Sequence, residues 1–227
     1  MLNGLGPQET LFHDHPFFGQ IFLAGTLAVT GYPNSLNPVA DANSIATLYL
    51  VPRIIMGILA VIDTLLIYKI AEKRYDTNVA FVASLLFAVM PMTWILRRIL
   101  LDSILLPFLL SSILLALYTK ESKRKKTLVL FSGIFLALAI FTKIPAITMI
   151  PLIVYLIHSN IKNTKILGLW FVPVILIPLI WPVQSIITGQ FHLWVRDVFW
   201  QAHRQGFGLP YISGTFIYFD PVIVYLL

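Results

Sequence analysis

The stretch PMTWILRRILLDSILLPFLL, residues 91–110, places charged side chains between two long apolar runs. The run that leads into it, residues 78–96, has no ionisable side chain over nineteen positions, and residues 103–119 carry no charge. Each run approaches the roughly 20 apolar residues that an α-helix needs to cross a bilayer. The sequence therefore predicts two membrane spans joined by a tight, charged connection. The charged residues of that connection are Arg97, Arg98 and Asp102.

The composition excludes a water-soluble protein. Hydrophobic residues make up 58% of the chain and charged residues 11%, whereas soluble domains are about 45–50% apolar. The net charge of +6 comes from short basic clusters between apolar runs, so we interpret these clusters as topology signals and expect no nucleic-acid partner. With no cysteine, the chain forms no disulfide and has no Cys-ligated metal site.

The same pattern predicts further spans and loops. We expect one outer loop at residues 1–44 and another at residues 188–213. Residues 214–227 begin an apolar segment too short to cross a bilayer, so we interpret it as a truncated span and the 227-residue chain as a fragment, a partial transmembrane domain. The predicted spans lie at about residues 45–70, 78–96, 103–119, 128–142, 144–158 and 167–187.

The basic clusters orient these spans. Runs of Lys and Arg at residues 69–74, 120–126 and 162–165 mark the cytoplasmic side. The apolar stretch 127–158 is too long for one helix, and its central proline predicts a break near Lys143. Counting the crossings then places Lys143 on the extracytoplasmic face, together with the charged connection.

The apolar stretch at residues 17–32 spans only sixteen residues. It is either a short span or a helix that lies in the membrane interface. In the interfacial case, His13–Pro16 joins the outer face. The predicted fold is an all-α integral membrane protein, a multi-spanning helical bundle with an interfacial helix in the first outer loop.

This topology gathers ionisable groups on one membrane surface, where cations outnumber carboxylates. Ionisable groups at membrane depth usually mark a ligand or ion path. Several cations beside a few acids suit a phosphate on a lipid, with a carboxylate nearby as a base. The group consists of His13, Asp14, His15, Arg97, Arg98, Asp102, Lys143, Arg196, Asp197 and Arg204, with His203 in the same loop as the last three.

Simpler interpretations exist for the charged connection and the helix break. Arg97 and Arg98 are also explained by snorkelling from a helix end, with Asp102 as their ion-pair partner. Lys143 is also explained as a cap of the preceding helix.

Two further polar pairs call for an interpretation. His13 and His15 supply only two potential metal ligands, too few for a well-formed site, so we expect no metal. Arg53 and Asp63 fall within one predicted span, where we expect them to pair internally.

Three segments carry a family resemblance. They read HDHPFFGQIFLAGTLAVTGY at residues 13–32, RRILLDSILLPF at residues 97–108 and GIFLALAIFTK at residues 133–143. Taken in this order, they resemble the polyprenyl-phosphate-sugar-dependent glycosyltransferases of the GT-C class, such as protein O-mannosyltransferases and aminoarabinose transferases of lipid A.

The resemblance implies inverting transfer of a sugar, such as a mannose-like hexose, from a polyprenyl- or dolichyl-phosphate carrier in the membrane. The acceptor would be a protein, glycan or lipid at the extracytoplasmic face of the cell membrane, and no cofactor is expected. In this family the donor phosphate would be bound by Arg97 or Arg98 and by Lys143, with His15 beside it. Asp102 would order the site. Contacts to the acceptor or to the loop would come from Arg196, His203 and Arg204.

One departure from the family concerns the catalytic carboxylate. In the family it lies on the first outer loop, some way before the His-Pro element, whereas only fourteen residues precede His15 here. We favour a chain that is truncated at its start and lacks its base, because the other end also stops within a span, and the 227-residue chain would then be inactive. In the alternative, Asp14 serves as the base.

A function of another class remains open, namely a transporter or flippase whose outer cations bind an anionic lipid-linked substrate. Transporters tend to place charges near the midplane of the membrane, with broken helices in repeated halves. The predicted charges lie at one face and the sequence shows no repeat, which favours the glycosyltransferase. A membrane scaffold without a site leaves Lys143 unexplained.

Overall fold

The computed structural model describes residues 15–32, 34, 42–94 and 97–205, and this part of the chain is helical without a strand. Five of its helical segments are long and apolar enough to cross a membrane, and one of them, Ile144–Ile161, consists of a 3-10 helix followed by an α-helix. Large hydrophobic side chains on their outer surfaces, such as Ile58, Val61 and Leu65, are exposed and suit contact with lipid. The predicted class, an all-α multi-spanning membrane protein, is confirmed.

Residues 15–181 form one compact unit, and residues 182–205 belong to a second. A 3-10 helix, Ile144–Met149, lies between α6 and α7. The helices are α1 Phe18–Ala28, α2 Ala42–Arg74, α3 Thr77–Val89, α4 Pro91–Trp94, α5 Leu101–Tyr118, α6 Lys125–Thr142, α7 Ile150–Ile161, α8 Thr164–Ile187 and α9 Phe191–Gln205.

The lengths of two helices bear on the predicted loops. Helix α1 has eleven residues, far fewer than a bilayer requires, which favours the interfacial alternative over a span. Helix α9 has fifteen residues and occupies much of the predicted outer loop 188–213. Residues 191–205 of that segment are therefore helical.

Prolines determine where two of the apolar stretches break. Helix α3 stops at Val89, short of the predicted span end at residue 96, because Pro91 disfavours helix at Met90, which is extended with ψ 128°. Lys143 is likewise extended, with φ −156° and ψ 126°, and Pro145 follows in the first turn of the 3-10 helix. A proline is tolerated in a first turn, where its missing N–H needs no partner. The predicted break near Lys143 is confirmed.

Helices α5 and α6 are joined by a reciprocal pair of serine hydrogen bonds at their buried centre. The Ser112 hydroxyl donates to the Ser132 carbonyl at 2.7 Å, and the Ser132 hydroxyl donates to the Ser112 carbonyl at 2.9 Å. Both residues are fully buried, as is Trp170 of α8, whose Nε1 donates to Ser132 Oγ at 3.4 Å. Hydroxyls that bond across helices are a usual means of association within membranes.

The contact between α6 and α8 depends on a glycine. A Cβ atom on Gly133 would lie 2.6 Å from the Trp170 carbonyl oxygen and 2.9 Å from Pro173 Cγ. The absence of a side chain lets the two backbones approach closely, as small residues do in membrane helix pairs.

Arg53 and Asp63 do not form the expected internal pair. They lie ten residues apart on α2, which corresponds to about 15 Å along a helix axis. Arg53 is exposed, whereas Asp63 is buried and neither carboxylate oxygen has a hydrogen-bond partner among the described residues. The prediction of pairing was wrong because the continuous helix keeps the two residues about 15 Å apart along its axis.

Replacing Gly133 with Ala should separate α6 from α8, because the added Cβ meets a carbonyl oxygen that cannot move without the helix. We expect the free energy of unfolding to fall by about 1–3 kcal/mol, as is usual for overpacking. Thermal unfolding in detergent measures the change. Gly168→Ala on α8 is the matched control, since its Cβ would meet no atom within 4 Å. Equal melting temperatures for the two variants would contradict the close packing.

Candidate functional site

An ion pair joins the start of α5 to the end of α6. Lys143 Nζ donates to both Asp102 oxygens, Oδ1 and Oδ2, each at 2.9 Å. The Lys143 side chain is 22% exposed and that of Asp102 is 48% exposed, so a ligand in solution or at the membrane surface can reach the pair. Asp102 lies in the first turn of its helix, where a negative charge is stabilised by the helix dipole.

The N-terminal segment packs beside this ion pair. A Cβ atom on Gly19 would overlap the Leu101 side chain and would lie 3.6 Å from Thr142 Cγ2. Leu101 and Thr142 directly precede Asp102 and Lys143 in the sequence. The segment that begins at His15, which is partly buried, therefore lies against the same end of α5 and α6.

Aromatic rings hold α1 in this position. The Phe17 and Phe141 rings meet edge to face with centroids 4.8 Å apart, and the Phe18 ring lies 5.4 Å from that of Phe108. Phe108 in turn lies 6.0 Å from Phe135. Aromatic pairs in such geometries stabilise beyond the area that they bury. The cluster thus fixes α1 against both α5 and α6 beside the ion pair.

The two arginines of the charged connection have different surroundings. Arg97 Nη2 donates to the Ala88 carbonyl at 3.1 Å, and its guanidinium lies 5.6 Å from the centre of the Trp94 ring. Ala88 carries one of the last carbonyls of α3, which have no partner within the helix. Arg97 therefore caps α3, as a basic side chain near a helix C-terminus commonly does.

Arg98 contributes its backbone to the local structure and leaves its side chain exposed. Its carbonyl accepts a hydrogen bond from Ser103 Oγ at 2.9 Å, which fixes the connection to the first turn of α5. Within the described ranges its guanidinium makes no hydrogen bond and no ion pair. Of the two arginines, Arg98 is the one whose guanidinium is available to a ligand.

These cations suit an anion. An ammonium group has three N–H donors, of which Lys143 uses two on Asp102, so one remains for a ligand. With Arg98 nearby in the sequence, the charged end of α5 and α6 offers two cations and one carboxylate. Charge-assisted hydrogen bonds from Lys and Arg are the usual means of binding phosphate.

The structure describes the other predicted site residues in less detail. On α9, in the second unit, Arg196 Nε donates to Asp197 Oδ1 at 2.8 Å, and Asp197 is buried. His203 and Arg204 lie in the last turn of α9, and their side chains fall outside the described residues. His13 and Asp14 also lie outside them. In the part of the chain that the structure describes, no group of three or more His, Cys, Asp or Glu could hold a metal ion.

The sequence analysis did not single out two residues that shape the site. Gly19 permits the close approach of α1 to Leu101, and its signal is a glycine three residues after the His-Pro pair. Ser103, whose hydroxyl bonds the Arg98 carbonyl, carries the signal of a serine at a predicted helix start.

A comparison with protein families gives one match. A family model described as dolichyl-phosphate-mannose-protein mannosyltransferase matches residues 42–184, which is more than half of the chain and includes Arg98, Asp102 and Lys143. No curated protein and no solved structure matches the chain. The chain therefore belongs to the dolichyl-phosphate-mannose-protein mannosyltransferase family, a family of GT-C-type membrane glycosyltransferases that use lipid-linked sugar donors.

Proposed function

We propose that this protein transfers a mannose-like hexose from a polyprenyl- or dolichyl-phosphate carrier to a protein, glycan or lipid acceptor, with inversion at the sugar carbon. The reaction would take place at the extracytoplasmic face, opposite the basic loops. The observation that carries this proposal is the partly exposed ion pair of Asp102 and Lys143, of which Asp102 belongs to the charged connection. The family to which the chain belongs uses lipid-linked donors.

Lys143 and Arg98 bind the donor phosphate in this scheme. The bond between the sugar C1 and the phosphate oxygen breaks, and the electron pair stays on the phosphate. The departing phosphate therefore gains negative charge, which cations at fixed positions stabilise. Arg97 acts indirectly, because its bond to the Ala88 carbonyl holds the end of α3. His15 lies on the α1 side of the same end and contributes a further contact to the phosphate.

The acceptor hydroxyl attacks C1 from the opposite side and must lose its proton to a base. Asp102 is poorly suited to this role, because both of its oxygens hold the Lys143 ammonium. We therefore assign Asp102 as a positioning residue that orients Lys143. Asp14, directly before His15, is the candidate base, and Arg196, His203 and Arg204 are assigned to the acceptor or its loop.

The alternative of a transporter or flippase is favoured by one observation, the buried Asp63 in the middle of α2. Intramembrane carboxylates often mark transport paths. Against it, the pair of Asp102 and Lys143 lies at one end of α5 and α6.

The transfer reaction itself is tested in membranes of cells that express this protein, supplied with a labelled polyprenyl-phosphate mannose. We expect label to appear covalently on an acceptor, and Asp14→Asn to reduce this transfer by about 100-fold or more, as expected for the loss of a general base. Carrier binding should be unchanged in that variant. Movement of intact donor across the membrane without covalent transfer would support the transporter instead.

A binding experiment with the purified chain and polyprenyl phosphate should distinguish the roles of Arg98 and Arg97. Arg98→Ala should weaken binding by about tenfold or more, because a charge-assisted hydrogen bond is lost. Arg97→Ala should lower the melting temperature and leave the affinity closer to that of the wild type. Arg53→Ala, which removes an exposed cation from α2, is the matched control. The reverse pattern would assign the phosphate to Arg97.

A double-mutant cycle tests whether Asp102 acts through Lys143. Lys143→Ala alone should weaken binding of polyprenyl phosphate by about tenfold. Asp102→Ala should change the affinity in the wild-type background but not when Lys143 is already alanine, since nothing remains to be positioned. Additive effects of the two substitutions would show that Asp102 has an independent role.

A further inference from the structure

The structure brings three basic connections together at the other end of the bundle. They are centred where α2 meets α3, α5 meets α6 and α7 meets α8, and several of their basic residues lie in the adjoining helix ends, such as Arg74 in α2 and Lys165 in α8. Asp102 lies in the first turn of α5, whereas Tyr118 ends the helix, so the bundle end at issue is the one opposite the ion pair of Asp102 and Lys143. Two sets of contacts hold the three connections in place.

The first contact joins α2 to the connection after α5. Lys73 Nζ forms an ion pair with Glu121 and lies 5.2 Å from the centre of the Tyr118 ring. The Lys73 side chain is only 20% exposed. The hydrogen bond from Lys73 and its positive charge lower the pKa of the Glu121 carboxyl below its usual value, so Glu121 stays ionised at neutral pH and keeps its ion pair with Lys73.

The second contact joins α7 to the end of α5. Asn160 Nδ2 donates to the Ala116 carbonyl at 3.0 Å and to Thr119 Oγ1 at 3.2 Å. Asn160 lies two residues before Lys162, which begins the third connection. The three connections therefore share one end of the bundle.

Each of the three carboxylates that the structure describes at this end has an ion-pair or hydrogen-bond partner. Glu121 holds Lys73, Glu72 holds Lys69 at 2.7 Å, and Asp76 accepts a hydrogen bond from the Val79 N–H at 2.9 Å. Eight cations remain without an ion pair among the described residues, and we call them the basic surface. They are Arg74, Lys120, Lys123, Arg124, Lys125, Lys126, Lys162 and Lys165.

We propose that the basic surface binds the phosphate groups of anionic phospholipids in the adjacent leaflet. The surface lies at the ends of helices that cross the bilayer, at the level of the headgroups, and long Lys and Arg side chains reach this level with their stems against apolar residues. Exposed Tyr75 and Tyr118 lie at the same end, as is typical of a membrane interface. Exposed Phe131, one turn or more inside α6, offers an apolar surface to the acyl chains.

A lipid is favoured over a soluble anion because charge and apolar surface are contiguous here. A free phosphate would use the cations alone, whereas a phospholipid also covers the exposed hydrophobic side chains below them. The orientation that Lys and Arg impose during insertion does not neutralise them afterwards, so these eight cations remain without an ion pair among the described residues and are available to headgroup anions.

The experiment titrates phosphatidylglycerol or phosphatidylcholine into the full chain in neutral detergent and counts bound lipids by native mass spectrometry. We expect the wild type to prefer phosphatidylglycerol by about tenfold or more, and the preference to shrink as salt rises. Inorganic phosphate at matched concentration should not displace the lipid. Equal retention of both lipids, or displacement by inorganic phosphate, overturns the proposal.

A variant with Lys123, Arg124, Lys125 and Lys126 changed to Gln should lose most of the preference, because each of these cations that faces the headgroups contributes to it. The matched control changes Lys123, Lys125 and Lys126 to Arg, which keeps the charge and should keep the preference. An undiminished preference in the Gln variant also overturns the proposal. If that variant fails to fold, the wild-type lipid preference and its salt dependence decide the question alone.

Discussion

The packing of α5 against α6 is the interaction on which the rest of the structure depends. Within a bilayer, apolar surface gives little preference for one helix partner over another, so hydrogen bonds and close contact must select it. The reciprocal bonds of Ser112 and Ser132 fix the register of the two helices, and Gly133 admits α8 to the same place. This register brings Asp102 and Lys143 to one end and places the basic connection 120–126 at the other.

The two ends of this helix pair have opposite electrostatic arrangements. At one end, Lys143 is paired with a carboxylate, and the Arg98 guanidinium, which has no hydrogen bond among the described residues, lies close to that carboxylate in the sequence; this arrangement is suited to holding one phosphate and releasing it after reaction. At the other, the carboxylates that the structure describes have partners and eight described cations have no ion pair, which is suited to a continuous anionic surface. The pair of α5 and α6 thus carries the proposed sugar-transfer site at one end and the proposed lipid-binding basic surface at the other.

Much of this arrangement was predictable from the sequence. Long apolar runs gave the fold class, and counting crossings between basic clusters placed Lys143 level with Asp102. The different surroundings of Arg97 and Arg98 were not predictable, because they depend on where α3 ends, and Met90 with Pro91 ends it early. The contact of Gly19 with Leu101 was hidden for a similar reason, since it depends on the approach of two distant segments.

The proline break after α6 is part of the site rather than a defect in a span. Side chains on a helix point back towards its N-terminus, which for α6 is the end with the basic connection. A helical Lys143 would therefore direct its ammonium down along the bundle. Its extended backbone, with Pro145 starting the next helix, ends α6 at Thr142 and lets the side chain reach Asp102. The geometry of the ion pair thus follows from the same proline that interrupts the apolar stretch.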